Sequence, residues 1–370
     1  MKKLGFGMMR LPLVDPDDLK SIDQPAVNAM VDAFLEAGFN YFDTAYPYHQ
    51  GRSEVAVGEA LSKRHPRESF LLADKMPTFF VRDPADYPRI FEEQLERCKV
   101  SYFDYYLLHS LGAKNYEKTL RCDGFSFVGR LKEEGRVRRA GFSFHDKAEL
   151  LDRILTEHPE MEFVQLQINY ADWENESIEA RKCYEVALRH HKPVVVMEPV
   201  KGGSLAQVPE RAEALFKARR PEKSVASWAL RYAASLDGAF MVLSGMSSME
   251  QLTDNIATMR SFEPLALDER AIVEEVARII EESIAVPCTA CGYCVDACPQ
   301  RIPIPRYFAL YNNQNRFRLV PSHVTYYNNL ALDHGRASDC IACGRCESSC
   351  PQHIPIIDCL RDVASVFDRK

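Results

Sequence analysis

The amino-acid sequence predicts an α/β protein, in which a (β/α)8 TIM barrel precedes a small α-helical domain. Eight short apolar runs rich in Val, Phe, Tyr and Leu alternate with segments of helical spacing over about 260 residues, which is typical of such a barrel. Several of these runs end in polar side chains, as barrel strands do at an active site. Nine of the 12 cysteines lie in the last 83 residues and indicate a separate metal-binding segment.

The predicted strands and helices alternate along the chain. The runs that we predict to be strands are residues 4–10, 40–45, 70–75, 104–109, 137–144, 163–169, 194–198 and 241–245. The segments that we predict to be helices are residues 25–37, 53–63, 87–99, 127–134, 147–157, 178–190, 224–234 and 249–259. An open doubly wound sheet is the alternative, and it predicts a G-x-G-x-x-G turn after the first strand. Because Gly5 and Gly7 are followed by no third glycine at that spacing, we favour the closed barrel.

The composition of the 370-residue chain excludes several functional classes. Hydrophobic residues at 46% and charged residues at 27% are typical of a soluble globular protein, and no stretch approaches the roughly 18 apolar residues of a membrane span. A formal net charge of −7 argues against nucleic-acid binding. Arg10 and Pro12 interrupt the apolar amino terminus before a signal-peptide core could form, and the cysteines are too localised for a secreted disulfide scaffold. We therefore expect a cytoplasmic protein without nucleic-acid or membrane partners.

Polar side chains occupy the carboxyl ends of the predicted strands, where a barrel has its active site. They are Asp43, Lys75, His109, Ser143, Gln167 and Glu198, and Tyr48 follows the second strand. An ammonium beside a tyrosine favours the phenolate, so we expect Lys75 to lower the pKa of Tyr48, with Asp43 as the counter-ion of Lys75. His109 would orient a carbonyl group, and the four residues together would perform general acid catalysis. Each residue alone also has an ordinary structural explanation, such as a buried ion pair, a core histidine or a surface tyrosine.

Four motifs resemble the aldo-keto reductase family over about residues 3–262. They are DTAYPY at residues 43–48, SE at 53–54, ADK at 73–75 and LLH at 107–109. The resemblance implies a barrel that binds a nicotinamide cofactor in extended form at its carboxyl face. It also implies a catalytic tetrad of Asp43, Tyr48, Lys75 and His109, in which Tyr48 is the general acid.

The same resemblance implies a set of cofactor-binding residues. They are Gly7, Met8, Ser143, Gln165, Met197, Pro199, Gly245, Ser247, Gln251 and Asn255. Gln165 would hold the nicotinamide amide and Met197 would lie under the ring, although Phe144 replaces a family asparagine. At Gly245 and Gln251 the family usually has basic residues for the 2′-phosphate of NADP. Because neither residue offers a phosphate a positive partner, we expect NADH to be preferred over NADPH.

The carboxyl-terminal cysteines form a repeated C-x2-C-x2-C-x3-C-P motif. The first copy contains Cys288, Cys291, Cys294 and Cys298, and the second contains Cys340, Cys343, Cys346 and Cys350. This is the ligand spacing of two bacterial [4Fe–4S] clusters, in which the fourth cysteine ligates the other cluster. Cys350 would then complete the first cluster, and Cys298 would complete the second. Zinc is the alternative, but a zinc ribbon needs two separate C-x2-C pairs.

These observations divide the chain into three parts. Residues 1–265 would form the barrel, residues 266–286 a linker with a helix over 268–283, and residues 287–370 a ferredoxin-like domain. Within the last part we expect helices around residues 305–313 and 322–332, and Cys359 as a packing residue. The whole chain resembles a subgroup that fuses an aldo-keto reductase barrel to a carboxyl-terminal ferredoxin domain.

Three functions are compatible with this organisation, because a nicotinamide transfers two electrons as hydride while each cluster accepts one. In the first, NAD(P)H reduces a small-molecule carbonyl to an alcohol, and two [4Fe–4S] clusters serve electron transfer, sensing or structure. In the second, the clusters relay single electrons to a substrate, a flavin or an electron-carrier protein. In the third, the chain binds nicotinamide and reports redox state to a partner, as potassium-channel β subunits of the superfamily do. Aromatic residues in the barrel loops, among them Tyr46, Phe79, Phe80, Tyr170 and Trp173, would line an apolar substrate pocket or serve ordinary loop packing.

Overall fold

The computed structural model of the chain describes residues 2–16, 18–176, 178–282, 285–286, 288, 292–317, 321–350 and 353–368. The chain forms two compact units, of which the first comprises Met1–Val200 and Ser227–Arg270. The second comprises Lys201–Ala226 and Ala271–Lys370. Among the described residues, no helix has both the length and the apolar character needed to cross a lipid bilayer.

The first unit contains a closed barrel of parallel strands, which confirms the predicted fold class. In the described part of the chain its eight strands are β1 (Leu4–Gly7), β2 (Tyr41–Asp43), β3 (Leu71–Met76), β4 (Phe103–Leu111), β5 (Val137–Phe144), β6 (Phe163–Gln167), β7 (Val194–Met197) and β8 (Ala239–Gly245). Each strand pairs with its neighbours in sequence order, and β8 closes the barrel by pairing with β1. Gly7 of β1 therefore lies opposite Asp43 of β2 on one side and Gly245 of β8 on the other.

Helices cover the outside of this barrel. Those of the first unit are α1 (Gln24–Glu36), α2 (Ser53–Val57), α3 (Asp86–Cys98), α4 (Ala113–Arg121), α5 (Gly124–Glu133), α6 (Ala148–Glu157), α7 (Ala180–Arg189), α9 (Val225–Ala234) and α10 (Met249–Arg260). The helix between α7 and α9, α8 (Glu210–Arg219), belongs to the second unit. α11 follows at Leu267–Glu282, and Ser283, the last residue of the predicted linker helix, lies outside the described residues.

Two of the predicted elements take a different form, and the helices α4 and α8 were not predicted. The predicted strand over residues 4–10 ends at Gly7, and Met8–Arg10 forms a 3-10 turn instead. The predicted helix over residues 53–63 is divided into α2 and a π-helical turn at Gly58–Ser62. At this turn the chain approaches the end of α3 so closely that only glycine fits. A Cβ atom at Gly58 would lie 2.3 Å from the carbonyl oxygen of Arg97.

Large apolar side chains fill the barrel interior below the carboxyl ends of the strands. Tyr41, Leu107, Phe163 and Met241 form one buried cluster there with their neighbours. Tyr41 and Asp43 are two residues apart on β2, so both side chains point to the same face of the strand. The interior is therefore apolar at the level of Tyr41 and polar one layer above, at the level of Asp43.

The second unit is helical around a small aromatic core. Its elements are α8 (Glu210–Arg219), α12 (Tyr293–Asp296), α13 (Ile304–Phe317), α14 (Pro321–Ala331), α15 (Arg345–Ser348) and α16 (Ile356–Phe367), so both predicted tail helices are present and α13 is longer. The ring of Tyr327 lies 4.4 Å from that of Tyr307 and 4.9 Å from that of Phe367. The Tyr327 hydroxyl donates to Asp368 and accepts from the Ala337 amide. These bonds connect α14 to the turn at Ala337 and to the residue that follows α16.

Candidate active site

A buried ion pair lies at the carboxyl ends of β2 and β3. The Lys75 Nζ atom is 2.5 Å from Asp43 Oδ1 and 2.7 Å from the carbonyl oxygen of Thr44, and both side chains are almost completely buried. Burial lowers the pKa of Lys75, but Asp43 and Tyr48 raise it by more, so that it lies above its ordinary value. Burial raises the pKa of Asp43, and the Lys75 charge offsets part of that shift. The strand order predicted from the sequence thus brings these two residues into direct contact.

Tyr48 lies in the loop after β2, with its hydroxyl 3.3 Å from Lys75 Nζ. The turn that follows Tyr48 is unusual, because His49 and Gln50 have positive φ angles of 51° and 53°. The His49 ring is buried, where it accepts from the Leu11 amide and contacts the Leu19 carbonyl, and these bonds hold the turn in place.

The pKa of Tyr48 differs from the expectation based on its neighbours. Burial raises this pKa above its ordinary value, and the adjacent Lys75 ammonium lowers it by a smaller amount. Lys75 thus lowers the pKa as expected, but burial raises it by more, because the sequence-based expectation did not include the cost of removing a phenolate from water. Tyr48 carries its proton at neutral pH and can donate it.

His109 lies at the end of β4, with its ring edge-to-face against Tyr48 at a centroid distance of 5.9 Å. Burial lowers its pKa well below the ordinary value, and the charge of Lys75 lowers it further. The imidazole is therefore neutral and can donate one hydrogen bond. Its Nδ1 atom is buried and has no hydrogen-bond partner among the described residues.

Ser143 and Gln165, which the sequence predicts to bind nicotinamide, are buried side by side in paired register on β5 and β6. Gln165 Nε2 is 3.4 Å from Asp43 Oδ2, whereas Gln165 Oε1 is buried without a hydrogen-bond partner in the described part of the chain. The Ser143 hydroxyl accepts from the Ser110 amide at 2.7 Å and still has one proton to donate. A carboxamide has both a donor and an acceptor, so these two side chains fit the amide of a nicotinamide.

The other predicted cofactor residues lie at the carboxyl ends of β1, β7 and β8. Met8 and Pro199 are buried, and Met197 is half-buried at the end of β7. The Ser247 amide donates to Gln251 Oε1 at 2.8 Å, and Asn255 Nδ2 donates to Ser244 Oγ at 2.8 Å. The side chain of Gln251 is thus bound to the β8–α10 loop and that of Asn255 to the end of β8, and Gln251 contributes no positive charge.

The structure adds one residue that sequence reasoning missed. Arg10 follows β1 and lies beside Gly245 and Ser247 of the β8 end, whereas Asp43 lies on β2, the other neighbour of β1. In the sequence it is the only basic residue among residues 4–12 and the last residue of the first apolar run, and that position was the available signal.

Aromatic side chains line one side of His109. Phe79 is 5.6 Å from the His109 ring and 4.7 Å from Phe80, which in turn is 6.2 Å from Tyr46. Trp173, in contrast, packs against Tyr184 and Tyr232. The apolar surface next to His109 is therefore formed by the β2 and β3 loops.

One cavity in the second unit is lined by four cysteines that come from both repeated motifs. They are Cys298 of the first motif and Cys340, Cys343 and Cys346 of the second, with Ile302, Ile304, Ile341 and Leu360 between them. Burial raises the pKa of Cys346 to about 11, and Cys340 and Cys298 act in the same direction. These four are the ligands that the spacing predicts for the second cluster.

The remaining cysteines of the motifs are only partly described. Cys294 is buried in the apolar core of the second unit, and Cys288 and Cys350 pack against that core. Cys291 lies outside the described residues. In the described part of the chain, no three metal-binding side chains are close enough to hold a single ion. A [4Fe–4S] cluster takes four thiolates around four irons, and four cysteines line the cavity described above.

Comparisons with known protein families cover both parts of the chain. The model of the aldo/keto reductase family matches residues 3–278, and that of a 4Fe-4S dicluster domain matches residues 287–354. An NADH-specific methylglyoxal reductase of Escherichia coli is 22% identical over 293 residues, which cover 68% of this chain and 88% of the relative. An uncharacterized oxidoreductase of Bacillus subtilis is 26% identical over 260 residues, 62% of this chain and 80% of the relative.

Solved structures show the same fold. An aldo-keto reductase from Bacillus halodurans in its holo form has a TM-score of 0.59 at 24% identity, covering 74% of this chain and 91% of that chain. An aldo-keto reductase from Klebsiella pneumoniae in complex with NADPH has a TM-score of 0.58 at 21% identity, covering 74% and 90%.

Proposed function

The chain belongs to the aldo/keto reductase family, and we propose that it interconverts an aldehyde or ketone and the corresponding alcohol with a nicotinamide dinucleotide. It is an oxidoreductase with a carboxyl-terminal iron–sulfur domain. The observation that carries the proposal is the position of Lys75 Nζ, within hydrogen-bonding distance of Asp43 and of the Tyr48 hydroxyl and next to a neutral His109. A nicotinamide, when bound, supplies the hydride.

The residues of the chain supply the proton and orient the carbonyl. Tyr48 donates its hydroxyl proton to the carbonyl oxygen as the adjacent carbon is reduced. Lys75 stabilises the phenolate that remains, and Asp43 keeps Lys75 charged and in place. His109 donates a hydrogen bond to the same carbonyl oxygen and so fixes its direction. Phe79 lies beside His109 and Phe80 packs against Phe79, and both favour a substrate with an apolar or aromatic substituent.

The nicotinamide site supports a dinucleotide as the cofactor. The unpartnered Gln165 Oε1 would accept from the carboxamide of the nicotinamide, and Ser143 would donate to its oxygen. Met197 would lie under the ring, and Gly7, Met8 and Pro199 would border the cofactor. Since neither Gly245 nor Gln251 provides a charge for a 2′-phosphate, we expect NADH to bind more tightly than NADPH.

The second unit would hold two [4Fe–4S] clusters. Cys340, Cys343, Cys346 and Cys298 would ligate one cluster, and Cys288, Cys291, Cys294 and Cys350 the other. Clusters, when bound, supply single-electron chemistry. Cys343 and its neighbour Ile341 are exposed, and Ile341 exposes 59% of its surface. This exposure favours, as a second candidate function, electron exchange between the cluster at Cys343 and an external one-electron carrier.

The role of Tyr48 is tested by Tyr48→Phe, which removes one hydroxyl. We expect kcat for reduction of an aromatic aldehyde to fall about 10²- to 10⁴-fold, the usual contribution of a general acid, while the Kd for NADH is unchanged. Tyr102→Phe is the matched control, because Tyr102 precedes β4 and its hydroxyl accepts a hydrogen bond from the exposed Arg138 of β5. Turnover of Tyr48→Phe close to that of the wild type would exclude Tyr48 as the acid.

A further inference from the structure

Arg10 lies across the carboxyl end of β8. Its carbonyl oxygen accepts from Ser247 Oγ at 2.9 Å. Its Cβ, Cγ and Cδ atoms lie 3.3, 3.3 and 3.2 Å from the position that a Cβ atom on Gly245 would occupy. The side chain of Arg10 thus fills the space that a side chain at position 245 would take, and only glycine accommodates it there without displacement.

The guanidinium of Arg10 points toward the end of β7. Its Nη2 atom is 3.7 Å from Glu198 Oε1, and the two side chains are 26% and 31% exposed. An ion pair at this distance and exposure contributes little to stability. The guanidinium makes no hydrogen bond within the part of the chain that the structure describes. Its donors are consequently available to a better anion than Glu198.

We propose that Arg10 binds a phosphate group of the dinucleotide, an inference that rests on the proposed function. A dinucleotide extended from Gln165 and Met197 to Ser247 and Asn255 passes the carboxyl ends of β7 and β8. Arg10 lies along that path, between Glu198 and Gly245. A guanidinium matches the geometry of phosphate oxygens and forms charge-assisted hydrogen bonds with them. Arg10 thus supplies a positive charge from the loop after β1, whereas Gly245 and Gln251 supply none.

Glu198 has the opposite effect in this arrangement. Its carboxylate lies beside the same guanidinium and would repel an incoming phosphate. Binding replaces the Arg10–Glu198 pair with an Arg10–phosphate pair. Glu198→Gln should therefore tighten the binding of the dinucleotide, whereas loss of the Arg10 charge should weaken it.

The experiment measures Kd for NADH, NADPH, ADP-ribose and 2′-phospho-ADP-ribose with the wild-type chain and with Arg10→Gln, Arg10→Lys and Glu198→Gln. Titration calorimetry reads binding directly, without turnover. Arg10→Gln should weaken phosphate-containing ligands about ten- to a hundredfold, and Arg10→Lys should restore part of the loss. Arg64→Gln is the matched control, since it removes an arginine charge paired with Asp32 on α1, away from the strand ends.

The pattern of losses identifies the phosphate. Equal weakening of NADH and NADPH assigns Arg10 to the diphosphate bridge, and weakening of NADPH and 2′-phospho-ADP-ribose alone assigns it to the 2′-phosphate. The second result would also remove the reason for an NADH preference. If the wild-type chain binds NADH or NADPH and Arg10→Gln binds them equally well, the inference is wrong while the proposed function stands. If the wild-type chain binds neither cofactor, the proposed function itself is wrong.

Discussion

The single residue Lys75 contacts two groups of buried polar side chains, one inside the barrel and one between β3 and the helices. On the inner side of β3 its ammonium contacts Asp43 and Tyr48, and its carbonyl oxygen accepts from Gln94 Nε2 at 3.0 Å on the helical side. Gln94 also donates to Glu54, which is completely buried and accepts from Arg97. The backbone position of Lys75 is thus fixed by side chains that never reach the active site.

Asp74 is the neighbour of Lys75 in this outer layer. It is completely buried, and its Oδ1 atom accepts from the Lys75 amide at 2.8 Å. Burial raises the pKa of Asp74 well above its ordinary value, and the charge of Glu54 raises it further. A carboxyl whose pKa is higher in the folded than in the unfolded state stabilises the fold at low pH. That contribution is lost as the pH rises through the folded-state pKa.

We therefore expect Asp74→Asn to stabilise the chain at high pH. The amide keeps the acceptor for Lys75 and carries no charge, so the free energy of unfolding should exceed that of the wild type by an amount that grows from pH 4 to pH 8. The gain is about 1.4 kcal/mol for each unit by which folding raises the pKa of Asp74. Urea denaturation at several pH values measures it. A difference that is independent of pH would show that Asp74 ionises in the folded chain as it does in the unfolded one.

Asp104→Asn is the matched control for this substitution. Asp104 is equally buried, but it accepts from Arg67 at 2.6 Å and from Arg138 at 2.9 Å. Loss of its charge leaves two guanidinium groups without their anion. The same chemical change should therefore destabilise the chain at position 104 and stabilise it at position 74.

At the scale of elements, contact between α2 and α3 positions the outer polar layer. Glu54 of α2 meets Gln94 and Arg97 of α3, and the π-helical turn that begins at Gly58 brings the two helices together. Helical periodicity predicts that residues 53–63 are helical but does not distinguish α-helical from π-helical hydrogen bonding. The π-helical form accompanies the contact between Gly58 and the carbonyl oxygen of Arg97, which is made only in the folded chain.

Gly58→Ala tests this contact. The new methyl group would lie 2.3 Å from Arg97 O, so the helices must separate, and we expect a loss of about 1–3 kcal/mol in the free energy of unfolding. Gly129→Ala in α5 is the control, because nothing lies within 4 Å of its new methyl group and alanine favours helix by about 1 kcal/mol. Thermal unfolding should show opposite shifts in Tm. A Gly58→Ala protein as stable as the wild type would mean that α2 and α3 approach less closely.

At the scale of the whole molecule, the chain combines a barrel of local strand–helix repeats with a segment organised by two distant motifs. The cavity that joins Cys298 to the second motif requires residues more than forty positions apart to meet. The proposed clusters would therefore cross-link the second unit, so that neither motif alone completes a site.

Sequential cysteine replacement tests this crossed arrangement. In the wild type we expect about eight irons per chain after anaerobic purification. Replacing Cys288, Cys291 and Cys294 with Ser should leave about four irons, and adding Cys298→Ser should remove these as well. If Cys298 instead served the first cluster, this fourth replacement would change nothing. Cys359→Ser is the control and should retain all iron.

Adding NADH to the anaerobic wild type tests the relay function, because bleaching of the cluster absorbance requires electron transfer from nicotinamide.

The barrel, the order of the motifs at its strand ends and the cysteine spacing are all predictable from the sequence. Each of these is a local pattern, in which periodicity, strand ends or ligand spacing can be read within about ten residues. The tertiary structure decided the pKa of Tyr48 and the position of Arg10. The first depends on how completely the hydroxyl is removed from water, and the second on a contact between Arg10 in the turn after β1 and Gly245 at the end of β8. Burial and contacts between distant segments arise only when the barrel closes, so no local pattern contains them.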